Sequence, residues 1–367
     1  MDTVITTCGI SILTNYAKAQ KLVLPLTENA NKRDKQEVDK QASIEIEEML
    51  ALMGKSISEL ATDDQASAEI NSLHLYYQEK NDSPKSDRHV LISTDTWLGS
   101  EATELVKQAL LHRGYENIVV KKVSKLSTAN FRDFRDAAAE LLSMLIKYQE
   151  EANHRRSEVV INLTGGFKSL LITIPSFAAA YKVKCFNLFE GNSSILWLPL
   201  LPTRFDPAEF VRANLNEFRL LNSEICNTIH EDLAFAALKV ADNVYMLSDW
   251  GEALWQTYHH DIYEEKLLDP PISGIVYGPK FKEQAEEFAR KSSKLAELNK
   301  KIDTISFLYH NDNSGNPIVL KGTTMKPIRG CHGVSTHEIY ASNDDATRIY
   351  MHIEGGKWVL DTLGKHL

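Results

Sequence analysis

The stretch Val159-Val160-Ile161-Asn162-Leu163-Thr164-Gly165-Gly166-Phe167-Lys168 is a run of branched apolar residues that empties into two glycines and a lysine, with a helical pattern behind it. It reads as a buried strand ending at a phosphate-binding turn. Glycines let backbone N–H groups face an anion, the next helix adds its positive N-terminal end, and Lys168 supplies a full charge. Two other segments end in the same manner: Thr3-Val4-Ile5-Thr6-Thr7 runs into Cys8-Gly9-Ile10-Ser11-Ile12-Leu13-Thr14-Asn15, and His89-Val90-Leu91-Ile92-Ser93 runs into Thr94-Asp95-Thr96-Trp97-Leu98-Gly99. In an open parallel sheet such strand ends converge on one crevice.

These segments resemble the CRISPR-associated Rossmann fold (CARF) sensor domains, in the branch with an N-terminal T-x-G-T-S-L-L-T-N-like stretch, an S-T-D-T stretch and N-x-T-G-G-F-K. The resemblance covers residues 1 to 200 or so, with Asn162 to Lys168 its most specific part, while Cys8 and Ile10 depart from the pattern. It implies a cyclic oligoadenylate site built by Cys8, Gly9, Ile10, Ser11 and Asn15 from the first loop, Thr94, Asp95 and Thr96 from the second, and Thr164, Gly165, Gly166, Phe167 and Lys168 from the third.

At 367 residues the chain exceeds what one core usually holds, so two or three domains are expected. Hydrophobic residues make up 43% and charged residues 25%, an ordinary globular profile. No apolar run reaches the length of a membrane helix, and Met1-Asp2-Thr3-Val4 lacks the basic region that opens a signal peptide, which together predict a cytoplasmic protein. Cys8, Cys185, Cys226 and Cys331 are scattered without a C-x-x-C spacing, and this argues against a disulfide framework and against zinc. No metal and no cofactor are expected.

Short apolar runs alternate with amphipathic stretches over residues 1–202, the rhythm of a parallel α/β sheet. Strands are predicted at 3–7, 90–94, 118–123 and 158–163, helices at 42–54, 58–79, 100–112, 131–151 and 167–181, and an edge hairpin at 184–189 and 194–199. Residues 203–271 read as helical, with apolar positions at Phe210, Leu215, Phe218, Leu221 and Ile225 and again over 233–240. This module carries 5 Lys or Arg against 13 Asp or Glu, a net −8. A winged-helix-like role on DNA needs positive charge opposite the phosphates, so the module is expected to couple, dimerise or dock a protein instead. Residues 272–367 reverse the balance to +2 and read as α+β: a strand at 272–277, helices at 279–292 and 294–309, and an antiparallel sheet at 335–341, 347–354 and 357–362 with Gly355-Gly356 as its turn.

Metal-free RNA cleavage uses the neighbouring 2′-OH as nucleophile, and the protein must orient that group, stabilise the added negative charge and protonate the leaving oxygen. Arg348 and Arg329 suit phosphate stabilisation because a guanidinium binds two oxygens at once. Lys326 suits the RNA backbone, and His332 or His337 the acid/base role. The order of these elements, with Met325-Lys326-Pro327-Ile328-Arg329-Gly330, His337-Glu338-Ile339-Tyr340, Arg348-Ile349-Tyr350 and Leu363-Gly364-Lys365-His366, resembles RelE-type mRNA interferase toxins over the last 95 residues or so. Their strand arginine maps onto Arg348 and their basic loop onto Lys326 and Arg329; their C-terminal tyrosine has no obvious counterpart.

Both halves together resemble CARF–RelE fusions. The resemblance implies a homodimeric effector of type III CRISPR–Cas defence, in which a cyclic oligoadenylate such as cyclic tetra-adenylate licenses ribosome-dependent cleavage of mRNA. The acidic middle module is expected either to pack internally or to face a basic protein partner, for which a ribosomal protein is one candidate. Two other classes fit parts of the sequence: a ring nuclease that degrades the activator through Ser11, Asn15 or Lys168, and a ligand-responsive transcription regulator.

Overall fold

The computed structural model describes residues 1–166, 169–189, 194–200, 205–241, 243–289, 292–311, 325–341 and 347–365. They form two compact units, Met1–Phe205 and Asp206–Leu367. Among the described residues no helix is long and apolar enough to cross a membrane.

The first unit is built on β1 (Thr3–Thr7), α1 (Ser11–Ala19), α2 (Lys40–Lys55), α3 (Ile57–Thr62), α4 (Ala68–Lys80), β2 (Arg88–Ser93), α5 (Trp97–His112), β3 (Asn117–Lys122), α6 (Phe131–Arg155), β4 (Val159–Asn162), α7 (Leu170–Tyr181), β5 (Lys184–Leu188) and β6 (Ile195–Trp197). Its sheet has the order β3-β2-β1-β4-β5-β6. All neighbours are parallel except β5 and β6, the edge hairpin. Both faces are covered, which is why the strands are nearly continuous apolar runs. Val4, Leu91, Val160 and Phe186 join a core with residues of α1 to α5, while Ile5, Val90, Ile92 and Ile161 on the alternate positions are buried too. The strand order reverses between β1 and β4, and a ligand crevice of such a sheet opens at the carboxyl ends of the strands there.

One predicted helix is two in the structure. The helix predicted over 58–79 is broken, because Ser67 caps a new helix by accepting from the Ile70 N–H at 3.0 Å. Asp63 to Ser67 are turn and capping residues, and these outweigh the apolar spacing that runs through them.

The second unit comprises α8 (Pro207–Ala213), α9 (Leu215–Asn222), β7 (Ala237–Ala241), β8 (Val244–Leu247), α10 (Asp249–Glu265), β9 (Ile275–Tyr277), α11 (Pro279–Ala289), α12 (Ser292–Asn311), β10 (Lys326–His332), β11 (Ser335–Tyr340), β12 (Thr347–Glu354) and β13 (Lys357–Lys365). The region expected to be helical over 233–240 is instead a short 3-10 turn, Glu231–Ala236, followed by β7, which pairs antiparallel with β8. Asn243 at φ +59° supplies the left-handed residue of that hairpin, a local signal stronger than the apolar spacing.

The larger sheet has the order β10-β11-β12-β13-β9. Gly355 and Gly356, both at positive φ, join β12 to β13 as predicted. Lys326 and Arg329, read as a loop before the sheet, belong to its edge strand β10. A lysine and a proline side by side are usual on an edge, where the missing N–H of Pro327 costs no ladder bond. Ile339, Ile349, Met351, Leu360 and Leu363 pack with Phe281, Leu298, Ile302 and Ile305 of α11 and α12 on one sheet face.

The residues read as a middle module share this unit with the sheet. Arg219 of α9 donates from Nε to Asp303 Oδ1 of α12 at 2.7 Å and from Nη1 to the Asp269 carbonyl at 2.6 Å. The Tyr263 hydroxyl of α10 donates to the other Asp303 oxygen. Both charged side chains are buried. Burial works against the Arg219 charge, yet Asp303 beside it holds the guanidinium pKa above its ordinary value.

Candidate functional site

At the switch point the β1 and β4 loops are pressed backbone to backbone. A Cβ on Gly9 would stand 3.1 Å from the Gly166 nitrogen, and one on Gly166, at φ +94°, would stand 2.8 Å from Thr7 Cβ. Neither position admits a side chain without movement. Asn162 sets the turn: its Oδ1 accepts from the Thr164 N–H at 3.1 Å and its Nδ2 donates to Ser72 Oγ at 2.8 Å. The Thr164 hydroxyl accepts from the Leu188 N–H at 3.0 Å, so it serves to hold β5. Phe167 and Lys168 lie outside the described residues.

A residue not predicted from the sequence packs against both loops. Glu69, in the first turn of α4, is fully buried. Its Oε1 accepts from the Gly9 N–H at 2.8 Å and its Oε2 from Ser11 Oγ at 2.6 Å. Ser11 Oγ is itself fixed by the Ala68 N–H at 3.2 Å. The donors expected to face a ligand anion therefore hold one of the protein's own carboxylates. Gly165 is part of the same packing, because its Cβ would fall 2.0 Å from Glu69 Oε1. Gly165→Ala is accordingly expected to lower stability by about 1 to 3 kcal/mol, the usual cost of overpacking; a thermal melt equal to that of the unmodified chain would contradict this geometry.

Other predicted ligand residues are occupied locally. Cys8 is buried, its thiol facing the Thr6 carbonyl at 3.8 Å, and burial pushes its pKa well up. Ile10 is the N-cap of α1, and Asn15 reaches the Gln65 carbonyl at 3.0 Å. Thr94 and Thr96 share a hydrogen bond of 2.8 Å, and Thr96 caps α5 by accepting from the Gly99 N–H. Asp95 accepts from the Lys125 N–H at 2.9 Å and pairs with Arg33 at 3.0 Å and Lys122 at 2.9 Å. Burial tends to raise its pKa, but these partners hold the carboxyl below the ordinary carboxylate range. The three strand ends are neighbours in the sheet, with Thr94 and Thr96 bonded within their own turn and Asp95 held by Arg33, Lys122 and Lys125.

In the second unit the register of the antiparallel sheet sorts the predicted catalytic residues by face. Lys326 opposes Glu338, which opposes Tyr350, which opposes Thr362. In the next row Tyr340 opposes Arg348, which opposes Gly364. These rows share the face turned away from α11 and α12. Arg348 is 6% exposed, and its guanidinium carbon stands 3.4 Å from the centre of the Tyr340 ring. His337 opposes Met351, a core residue, so it lies on the helix-covered face and burial lowers its pKa. The structure therefore brings Lys326 and Arg348 to one face and leaves His337 on the other. The side chains of Arg329 and His332 on β10 lie outside the described ones.

Residues 64–201 match the model of a family described as CRISPR-associated protein (Cas_APE2256). Over that span the chain is similar to this CRISPR-associated family. No curated protein matches it.

The matched span runs from the turn before α4 to the end of the first sheet. It includes Glu69 and the loops after β2 and β4. The β1 loop with Gly9 and Ser11 lies before it, and the second unit lies beyond it. In the sequence, Glu69 is masked by its position: an acidic residue in the first turn of a helix is ordinary dipole chemistry, and nothing in linear spacing carries it across 58 residues to Ser11.

Proposed function

We propose that the protein is a homodimeric, cyclic oligoadenylate-activated mRNA endoribonuclease of type III CRISPR–Cas defence that acts on the ribosome without a metal. One observation carries the reading: a domain similar to a CRISPR-associated family, with the glycine-bearing β1 and β4 loops packed together at its strand switch, shares a chain with an antiparallel sheet that groups Arg348, Tyr340, Tyr350 and Lys326 on one face. In this reading the first unit binds the ring, most simply cyclic tetra-adenylate, since a twofold dimer suits an even-numbered ring. Arg348 stabilises the charge that develops on the scissile phosphate, and the ring of Tyr340 keeps its guanidinium plane in place. Lys326 holds the RNA backbone. The ribosome holds the mRNA with its 2′-OH near the in-line geometry, which supplies the orientation that a self-sufficient nuclease builds with its own side chains.

The deciding experiment incubates the protein with translating ribosomes, with and without each cyclic oligoadenylate, and maps the mRNA ends. Cleavage is expected only with ribosome and ring together, in the presence of minimal EDTA on a stable ribosome complex, leaving 2′,3′-cyclic phosphate or 3′-phosphate ends. Robust ring-dependent cutting of naked RNA would defeat the reading.

Glu69 yields a separate expectation. Its carboxylate holds the Gly9 and Ser11 donors, so a ring phosphate that uses them meets a like charge. Two such charges about 4 Å apart repel by about 4 kcal/mol at an effective dielectric near 20. Glu69→Gln keeps the size and removes the charge, and calorimetry should find cyclic tetra-adenylate bound at least about tenfold more tightly, a part of that repulsion. Equal or weaker binding would show that the carboxylate does not compete with the ring.

A further inference from the structure

Three strands of the second unit bring together a histidine, an aspartate and a serine to which the reading above gives no role. His352 on β12 places Nδ1 at 2.9 and 3.0 Å from the two carboxylate oxygens of Asp361 on β13. Ser335 on β11 donates from Oγ to Asp361 Oδ2 at 2.6 Å. The register jumps at this point, from Tyr350 opposite Thr362 to Met351 opposite Leu360, so Asp361 is the extra residue of a β-bulge. Bulges of this kind re-aim a side chain out of the regular alternation. On β12 the alternation is unbroken, and His352 follows Arg348 and Tyr350 at every second position. It therefore shares their face, away from the core formed by Ile349 and Met351.

The imidazole is oriented and still reachable. Its side chain is 18% exposed and that of Asp361 is 13% exposed. With Nδ1–H given to Asp361, the remaining ring nitrogen, Nε2, looks out toward the exposed Glu354 carboxylate at 3.6 Å. Two carboxylates and burial act on its charge. The hydrogen bond to Asp361 raises the pKa most, burial opposes it, and the Asp361 and Glu354 charges add to the rise.

We propose that His352 is the general acid of the ribonuclease face, giving its Nε2 proton to the leaving 5′ oxygen, with Asp361 as its positioning residue and Ser335 fixing Asp361. The proposal rests on the ribonuclease reading. In the step the 2′ oxygen forms its bond to phosphorus and releases its proton to water. The bond from phosphorus to the 5′ oxygen breaks with its electron pair on that oxygen, which takes the Nε2 proton. Water then reprotonates the imidazole, and the products are a 2′,3′-cyclic phosphate and a 5′-hydroxyl. Because the folded pKa is raised, the acid form persists to higher pH, and activity is lost as pH climbs through that raised value.

The test uses the full chain with cyclic tetra-adenylate and ribosome complexes holding either ordinary mRNA or mRNA with a bridging 5′-sulfur at the scissile position. A thiolate leaves without needing a proton. His352→Gln should cut ordinary mRNA about 100- to 10,000-fold more slowly, the usual span for a lost general acid, and should cut the sulfur-bridged mRNA near the wild-type rate. That recovery also demonstrates a folded variant. Asp361→Asn should shift the alkaline limb of the pH–rate profile to lower pH. Wild-type speed of His352→Gln on ordinary mRNA, or equal slowing on both substrates, would overturn the role of His352 while the ribonuclease reading stands. Failure of the wild-type chain to cut either mRNA would overturn that reading and this proposal with it.

Discussion

Arg348→Ala should lower ring-activated mRNA cleavage by about 100- to 1000-fold, which corresponds to about 2.7 to 4 kcal/mol of transition-state stabilisation. The charge that this guanidinium offsets exists mainly in the transition state, so the loss falls on the rate. The stack on Tyr340 adds a condition, since removing an arginine side chain that is 6% exposed also removes packing. Arg348→Lys separates the two effects. A lysine keeps the charge and much of the volume while losing the planar fork and the stack, so it should also be slow. Ring affinity and the thermal melt of both variants check that the fold persists. Cleavage by Arg348→Ala near the wild-type rate would remove this residue from the chemistry.

The second large effect concerns stability. Asp303→Ala leaves Arg219 buried with no carboxylate beside it and deprives the Tyr263 hydroxyl of its acceptor. Removing one partner of a buried pair costs about 3 to 5 kcal/mol, because the other charge stays desolvated. The double variant Arg219→Met with Asp303→Leu removes both charges together and should recover most of the loss, since apolar replacement of a whole buried pair is often close to neutral. Denaturant unfolding of the three proteins decides the matter: equal midpoints for Asp303→Ala and the wild type would show that the pair is not buried as described.

Much of the first unit could be read from the sequence because buried parallel strands announce themselves as branched apolar runs, here Val4-Ile5, Val90-Leu91-Ile92 and Val159-Val160-Ile161. Capping chemistry was passed over at both Thr96, read as a ligand residue, and Ser67, where an apolar pattern continued across it. The second unit was harder. Ala237 to Ala241 carries too little side-chain volume to show a strand period, and β10 hides behind a proline and two basic residues. Of the candidate sites, the glycine turns were visible, but the groups that occupy them were not. Glu69 reaches Ser11 through tertiary folding alone, and His352 sits between Met351 and Ile353, where an alternating strand explains it without any role. Asp361 was hidden by the bulge, since a single extra residue moves a side chain off the face that strict alternation assigns.

The ties among α9, α10 and α12 bear on what can be inherited as a piece. The chain changes its charge balance near residue 271, and a reader of gene architecture would draw a module border there. The contacts draw none. A transplanted segment starting at residue 272 would carry Asp303 without its cation, Asn299 without the Tyr263 and Lys266 carbonyls and the Leu268 N–H that it joins, and Tyr277 without the Leu268 carbonyl that accepts from it. Recombination that preserves a working antiparallel sheet must therefore carry the acidic helices along, so the heritable cassette begins near Asp206, where the second unit begins.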